Sequence, residues 1–280
     1  MGIRSTTPRE KIVIETAASS ARYWHELKEF RELIYFLSWR DILVRYKQTV
    51  IGILWAVMRP LLLMIVLTVV FGGLAKLSKQ ETMPYPLLVL TGLLPWQFFA
   101  TTLADSVENV VKNQSLISKL YFPRLIIPMS ASIVTFLDFV ISLGLLSLAM
   151  LYYQFIPGVR CLLLPFFILQ LFLFSFGLSL WISALTVKYR DFRYLVPFAV
   201  QFGLYITPVG FSSSIVPEKW RLIYGLNPMV GIIDGFRWSI LDAPLLYWPT
   251  FCISLLITVV VFFTGLSFFR NSERNFADII

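Results

Sequence analysis

Apolar and polar positions divide this chain into long apolar blocks separated by short polar ones. Near the start, Phe30, Leu33, Ile34 and Leu37 recur at i, i+3, i+4 and i+7, with Glu29, Arg31 and Glu32 between them. That period predicts a helix over 29–47 with one apolar and one charged face. Such a helix suits the surface of a membrane; packing on a soluble partner explains the same pattern. The stretch 39–74 then passes from a mixed basic segment, with Arg40, Arg45 and Lys47, into an apolar run interrupted only by Arg59. Basic side chains can lay their stems on apolar surface and keep their heads wet, so this segment reads as a turn from headgroup layer into bilayer.

A helix needs about 20 apolar residues to cross a bilayer. On that measure six spans are expected, at 54–75, 85–104, 126–152, 162–187, 195–211 and 248–269. The piece 222–233 is apolar but too short, which suits a re-entrant or interfacial element between the fifth and sixth spans. The expected fold is an all-α integral membrane protein: a polar arm over 1–28, at most partly helical, and a transmembrane domain over 29–280.

Composition strengthens this reading. Of the 280 residues, 58% are hydrophobic and only 14% charged, with mean hydropathy +0.76; a soluble domain carries about 25% charged residues. The first thirty residues mix charges of both signs without the apolar core of a signal peptide, so the N-terminus is expected in the cytoplasm. With six spans both termini share one side. Eighteen of the 24 Lys and Arg fall there, and six (Lys76, Lys79, Arg160, Lys219, Arg221, Arg237) on the other. The positive-inside rule puts that richer side in the cytoplasm. Topology thus accounts for the net charge of +8, and nucleic acid is not an expected partner. Tyr85, Trp96, Tyr121, Phe122, Tyr152, Tyr153, Tyr189, Tyr247 and Trp248 lie near span ends, as interfacial aromatics do. Cys161 and Cys252 fall in or beside apolar runs and suit packed thiols better than a disulfide.

The motifs of catalysis are missing. No Gly precedes a Lys, so the chain has no Walker A phosphate loop; Asp-x-Asp, CxxC and Gly-x-Ser-x-Gly are absent, and His25 has no second histidine to join it in a metal site. The chain is therefore expected to be no enzyme and to hold no cofactor or metal. Asp138 is the carboxylate deep inside a predicted span. An intramembrane charge suggests function, but a contact with a neighbouring Ser, Thr or Trp, or a protonated acid, is the preferred reading, since proton-coupled carriers use more than one such group. Ser175, Ser179 and Ser183, with Gly177 and Ala184, allow close helix packing, preferably within one subunit. The connection 105–123 ends in Leu116, Ile117, Leu120, Tyr121, Phe122 and Pro123. It suits a knob for a groove on another protein or a hairpin lying on the membrane. Trp220, Tyr224, Phe236 and Trp238 in the loop 211–249 suit a pore closure, a sugar stack or an interfacial belt.

Four segments carry a family resemblance: RDILVRYKQTVIGILWAVMRPLL (40–62), SLISKLYFPRLIIPMSA (115–131), VKYRDFRYL (187–195) and YGLNPMVGIIDGFRWSIL (224–241). Together they resemble the permease subunit of ABC-2-type polysaccharide exporters, nearest the O-antigen export permeases, with capsule and teichoic-acid permeases related. The resemblance covers the chain from about residue 30 onward. It implies a homodimer of six-span permeases in the bacterial inner membrane, each bound to a separate nucleotide-binding ATPase, two copies in all, which holds the MgATP. It also implies a lipid-linked polysaccharide as cargo passing between the subunits, and membrane lipids as surroundings. ATPase coupling then falls on Ser115, Leu116, Ile117, Ser118, Lys119, Leu120, Tyr121, Phe122 and Pro123, with a shorter contact at Lys188, Tyr189, Arg190 and Asp191. Short external gate helices between spans 5 and 6 would carry Trp220, Tyr224, Phe236 and Trp238. On electrostatic grounds Arg40, Arg45, Lys47 and Arg59 would line the cytoplasmic entrance, near a lipid diphosphate. Export of teichoic acid, capsule, a drug or a lipid by the same family, and a secondary carrier or a membrane-bound glycosyltransferase, are the rival expectations.

Overall fold

The structure, a computed structural model, describes residues 20–47, 54–80, 83–113, 116, 122–243 and 247–273. The described residues are helical with short connections, and no strand occurs among them. Helix α1 is Ser20–Glu29 and α2 is Arg31–Lys47. The predicted helix therefore begins two residues late, after a break at Phe30, and the arm before it contributes a helix of its own. Phe30, Leu33 and Ile34 are half-buried and Leu37 is buried, so the apolar face is the predicted one. On the other face Tyr35 and Trp39 stack at 6.4 Å, exposed, as aromatics at a headgroup layer do.

Helix α3 (Leu54–Leu67) continues as π-helical turns over Thr68–Leu74, α4 is Tyr85–Lys112, α5 is Ile126–Tyr152 and α6 is Leu164–Lys188. Helix α7 is Phe192–Ile206, α8 is Glu218–Tyr224, α9 is Pro228–Ile240 and α10 is Trp248–Ser272. Among the described residues, five helices are long and apolar enough to cross a membrane: α3 with its π-turns, α4, α5, α6 with its leading 3-10 turn, and α10. Helix α7 is apolar but has 15 residues. The predicted third span, 126–152, coincides with α5. The piece 222–233 is not one element: the chain breaks at Gly225–Asn227 between α8 and α9.

Helix α4 is the axis of the bundle, touched by α3, α5, α6, α7 and α9. Leu87, Val89, Leu90, Thr91 and Leu93 on it are wholly buried. By contrast α3 with its π-turns and α7 expose large apolar side chains, among them Leu62, Val66, Val69, Phe198 and Phe202. That inversion suits lipid or a second subunit, because water offers such surface no compensation.

Helices α6 and α10 run parallel. Gln170 donates to Ser254 at 3.0 Å and Trp181 to Thr264 at 3.2 Å, one pair near each end. Between them a Cβ on Gly177 would lie 2.6 Å from Phe262 Cα, and one on Gly265 would lie 2.2 Å from the Gly177 carbonyl oxygen. The small residues of the fourth predicted span therefore pack within this chain, at backbone contact.

A second apolar cluster covers one end of the bundle. It joins Tyr23 and Leu27 of α1, Leu37 of α2, Phe122, Leu125 and Ile126 at the start of α5, and Phe269 of α10. Both ends of the described chain lie there, since the Tyr23 hydroxyl donates to Glu273 at 3.1 Å.

Candidate functional site

Arg45 sits in the last turn of α2, where the amphipathic helix brings it against α4 and α5. Its guanidinium donates to Asp105 of α4 at 2.9 Å and also to Asp138 of α5, which in turn accepts from the Tyr46 hydroxyl. Burial works against the charge on Arg45, but the two carboxylates outweigh it and hold the guanidinium more firmly protonated. Burial, then the bond to Asp138, raises the Tyr46 hydroxyl above its ordinary value. The sequence expectation for Asp138 is thereby corrected. Its partners are a cation and a tyrosine on α2, not a Ser, Thr or Trp of a neighbouring span. Sequence spacing carries no signal for this pairing, because 93 residues separate Arg45 from Asp138.

This cluster closes one end of a cavity of about 810 Å³. Its floor is α4 from Leu93 to Asp105, about 18 Å along the axis at 1.5 Å per residue. Trp55 and Arg59 of α3, Phe139 and Ser142 of α5, and Pro197 and Gln201 of α7 flank it. Trp96 and Phe98 add aromatic surface, and the Gln97 side-chain nitrogen has no partner among the described residues. The lining thus changes from charged at the Arg45 end to aromatic and aliphatic further along.

The four residues expected at the entrance separate. Arg45 and Arg59 line the cavity; Arg40 and Lys47 do not. Arg40 pairs with Asp41 at 2.8 Å and donates to Asn113 at 3.3 Å. Lys47 is exposed at the end of α2. Arg59 is exposed and makes no ion pair with a described residue, which leaves its charge available to an anion in the cavity.

Among the expected coupling residues, Ser115, Ile117, Ser118, Lys119, Leu120 and Tyr121 lie outside the described residues. Leu116 packs against the second apolar cluster, and Phe122 is buried in it rather than projecting as a knob. Lys188, Tyr189, Arg190 and Asp191 are all exposed where α6 ends.

The expected gate residues also differ in their surroundings. Trp220 is exposed, and the Tyr224 hydroxyl donates to the Ile206 carbonyl at 2.9 Å. Phe236 is wholly buried, 6.2 Å from the Phe139 ring, and Trp238 is half-buried under the Arg160 guanidinium at 5.2 Å. Sequence reasoning missed Arg237, counted only as an external charge. It is buried and donates to the carbonyls of Phe211 at 2.9 Å, Val209 at 3.1 Å and Leu88 at 3.3 Å. Those carbonyls belong to non-helical backbone after α7 and to the first turn of α4. Inside a membrane, irregular backbone is tolerated where protein satisfies its polar groups, and Arg237 supplies that satisfaction.

The family described as ABC-2 type transporter matches residues 32–241. A protein of Klebsiella pneumoniae named O-antigen export system permease protein RfbA is 30% identical over 251 residues, covering 89% of this chain and 95% of its own length. A Myxococcus xanthus protein of the same name is 28% identical, covering 92% of this chain and 99% of its own. The polysialic acid transport protein KpsM of Escherichia coli is 21% identical, covering 84% of this chain and 91% of its own.

Proposed function

The chain belongs to the ABC-2 type transporter family, and we propose that it is the permease of an exporter carrying a lipid-linked polysaccharide of O-antigen type across the bacterial inner membrane. The observation that carries this reading is the cavity: a long groove with Trp55, Trp96 and Phe98 along it and Arg59 beside its charged end. Aromatic faces bind sugar rings without fixing their sequence, and a cation beside the mouth suits the diphosphate of a lipid carrier. A drug or small lipid has no need of a polar, aromatic path of this length.

Two copies of the chain enclose the path, the exposed apolar faces of α3 and α7 meeting across it. A separate ATPase, one per permease, binds MgATP and drives the cycle; it contacts residues 115–123 and the exposed run 188–191. The membrane is crossed six times. Parallel α6 and α10 support this count, since two parallel spans leave the chain a return to make between them, and α7 makes that return. At 15 residues α7 spans only about 23 Å of a hydrocarbon layer of about 30 Å. The buried backbone of Thr207–Phe211, held by Arg237, completes the crossing. Both termini then lie on the cytoplasmic side, and α8 and α9 form the external closure.

The test is export from membrane vesicles holding this chain and its co-purifying ATPase, supplied with a lipid-linked O-antigen polysaccharide. ATP-dependent movement of the polymer, abolished without the ATPase, is the expected result. A chain that purifies with no ATPase, or hydrolysis that moves no polymer, overturns the reading.

A further inference from the structure

At the end of the bundle where the chain's ends meet, four polar side chains from three separated segments converge outside the cavity. Tyr23 of α1 donates to the carboxylate of Glu273, which directly follows α10. Arg124, just past Phe122 and Pro123, donates to the Glu273 backbone carbonyl. The Arg270 guanidinium lies over the Tyr23 ring at 4.6 Å. Beneath them Tyr23, Phe122, Leu125 and Phe269 pack as one apolar cluster, which also includes Leu37 of α2. A displacement of Arg124 therefore moves α1 and the end of α10 together, since close-packed contacts of this kind do not yield independently.

We propose that Tyr23, Arg124, Arg270 and Glu273 form a transmission joint that passes movement of the second connection to α1 and α2, and through Arg45 to the mouth of the cavity. This inference rests on the exporter reading for the origin of the movement. Its residues are positioning residues, since none lines the cavity. The path is continuous: Arg124 leads directly out of the segment proposed to meet the ATPase, α1 leads into α2, and Arg45 ends α2 on Asp105 and Asp138.

The joint also has a built-in pH response. Burial pushes the Glu273 carboxyl up from 4.5 to about 7, against the lowering effects of the Tyr23 bond, Arg124 and Arg270. Among the described residues these are the charged and titratable groups that act on it from α1, the second connection and α10. His25 and Glu29 on α1 pair with each other at 3.3 Å and are exposed. Because its docked value is raised, Glu273 holds its proton more tightly in the docked joint than in an opened one. Docking is strongest below about 4.5 and slackens as pH rises through about 7.

Hydrogen exchange on the full chain in nanodiscs tests the joint without any ATPase. Protection of the amides of residues 20–29, corrected for intrinsic rates, should fall between pH 5 and pH 8 in the natural chain and in His25→Asn. It should stay level in Glu273→Gln, which mimics the protonated acid. No change in the natural chain, an equal change in Glu273→Gln, or a change abolished by His25→Asn overturns the proposal. In proteoliposomes with the partner ATPase, Tyr23→Phe and Glu273→Ala, which each remove the bond between the two side chains, should bind as much ATPase as the natural chain. Polymer moved per ATP should fall about fivefold or more, the lower end of coupling between distant sites; an unchanged ratio in both overturns transmission. If the natural chain binds no ATPase, the exporter reading fails while the exchange result still decides whether the joint exists.

Discussion

Arg45 on α2 donates to Asp138 on α5, tying the surface helix to a membrane-spanning one. The two side chains are 34% and 25% exposed, and Asp105 shares the same guanidinium. Replacing Arg45 with Ala leaves two neighbouring carboxylates without their counter-charge. That should cost about 2–3 kcal/mol, below the ~3–5 of a fully buried pair. Asp138→Asn still accepts from Tyr46 and leaves Arg45 on Asp105, so it should cost about 1 kcal/mol and keep assembly and most transport. Thermal unfolding in detergent should rank Arg45→Ala well below Asp138→Asn. Equal midpoints, or loss of all transport in a normally assembled Asp138→Asn, contradict this account.

Arg59 carries the charge that the cavity offers to an anion. Arg59→Gln should raise the concentration of lipid-linked polymer needed for half-maximal export about tenfold, the size of one charge-assisted hydrogen bond. Lys47→Gln, outside the cavity lining, should change it less than twofold by comparison with this effect. Initial export rates over a range of polymer concentration give the answer; equal responses of the two variants would contradict the assignment of Arg59.

Arg237 satisfies three carbonyls of the backbone after α7 and at the start of α4. Arg237→Met keeps the volume but leaves those oxygens without their donor, at roughly 2–4 kcal/mol. The midpoint of unfolding should drop, and proteolysis should reach residues 207–217 sooner than in the natural chain. Unaltered proteolysis there would show that the segment is held by other contacts.

Gly177 and Gly265 let α6 and α10 meet at backbone distance. A methyl group at Gly177 meets only backbone, and one at Gly265 meets the Gly177 backbone first and then the Trp181 ring, so Gly177→Ala and Gly265→Ala should each cost about 1–3 kcal/mol. Gly144 has nothing within 4 Å of such a methyl group, and Gly144→Ala should be neutral or slightly stabilising. Unfolding midpoints of the three variants check the contrast.

The long apolar runs reveal themselves in sequence because a bilayer-crossing helix must be apolar along its whole length, whatever its neighbours. Ile126–Tyr152 was legible on that ground alone. So was the buried face of α2, because the 3.6-residue period places Leu33, Ile34 and Leu37 together before any packing occurs. The fifth apolar run did not show where its helix ends: Thr207–Phe211 is apolar, yet Pro208 holds Thr207 in extended geometry, and Arg237 supplies a donor to the carbonyls of Val209 and Phe211. Aromatic content does not say which rings face the cavity. Phe98, Phe136, Phe139, Phe172 and Phe236 chiefly pack on one another, and only Phe98 and Phe139 of these also line the cavity.

Sequence by itself thus determined that the chain is a helical membrane protein, where most helices lie, which face of α2 is apolar, and the family it belongs to. Each of these follows from local composition and period, or from motif order. Tertiary structure alone decided that Arg45 answers Asp105 and Asp138, that Arg237 serves backbone rather than solvent, and that Tyr23 reaches Glu273, 250 residues away. Such pairings depend on which helix ends meet, and charge pairing acts through a few ångströms of space rather than along the chain.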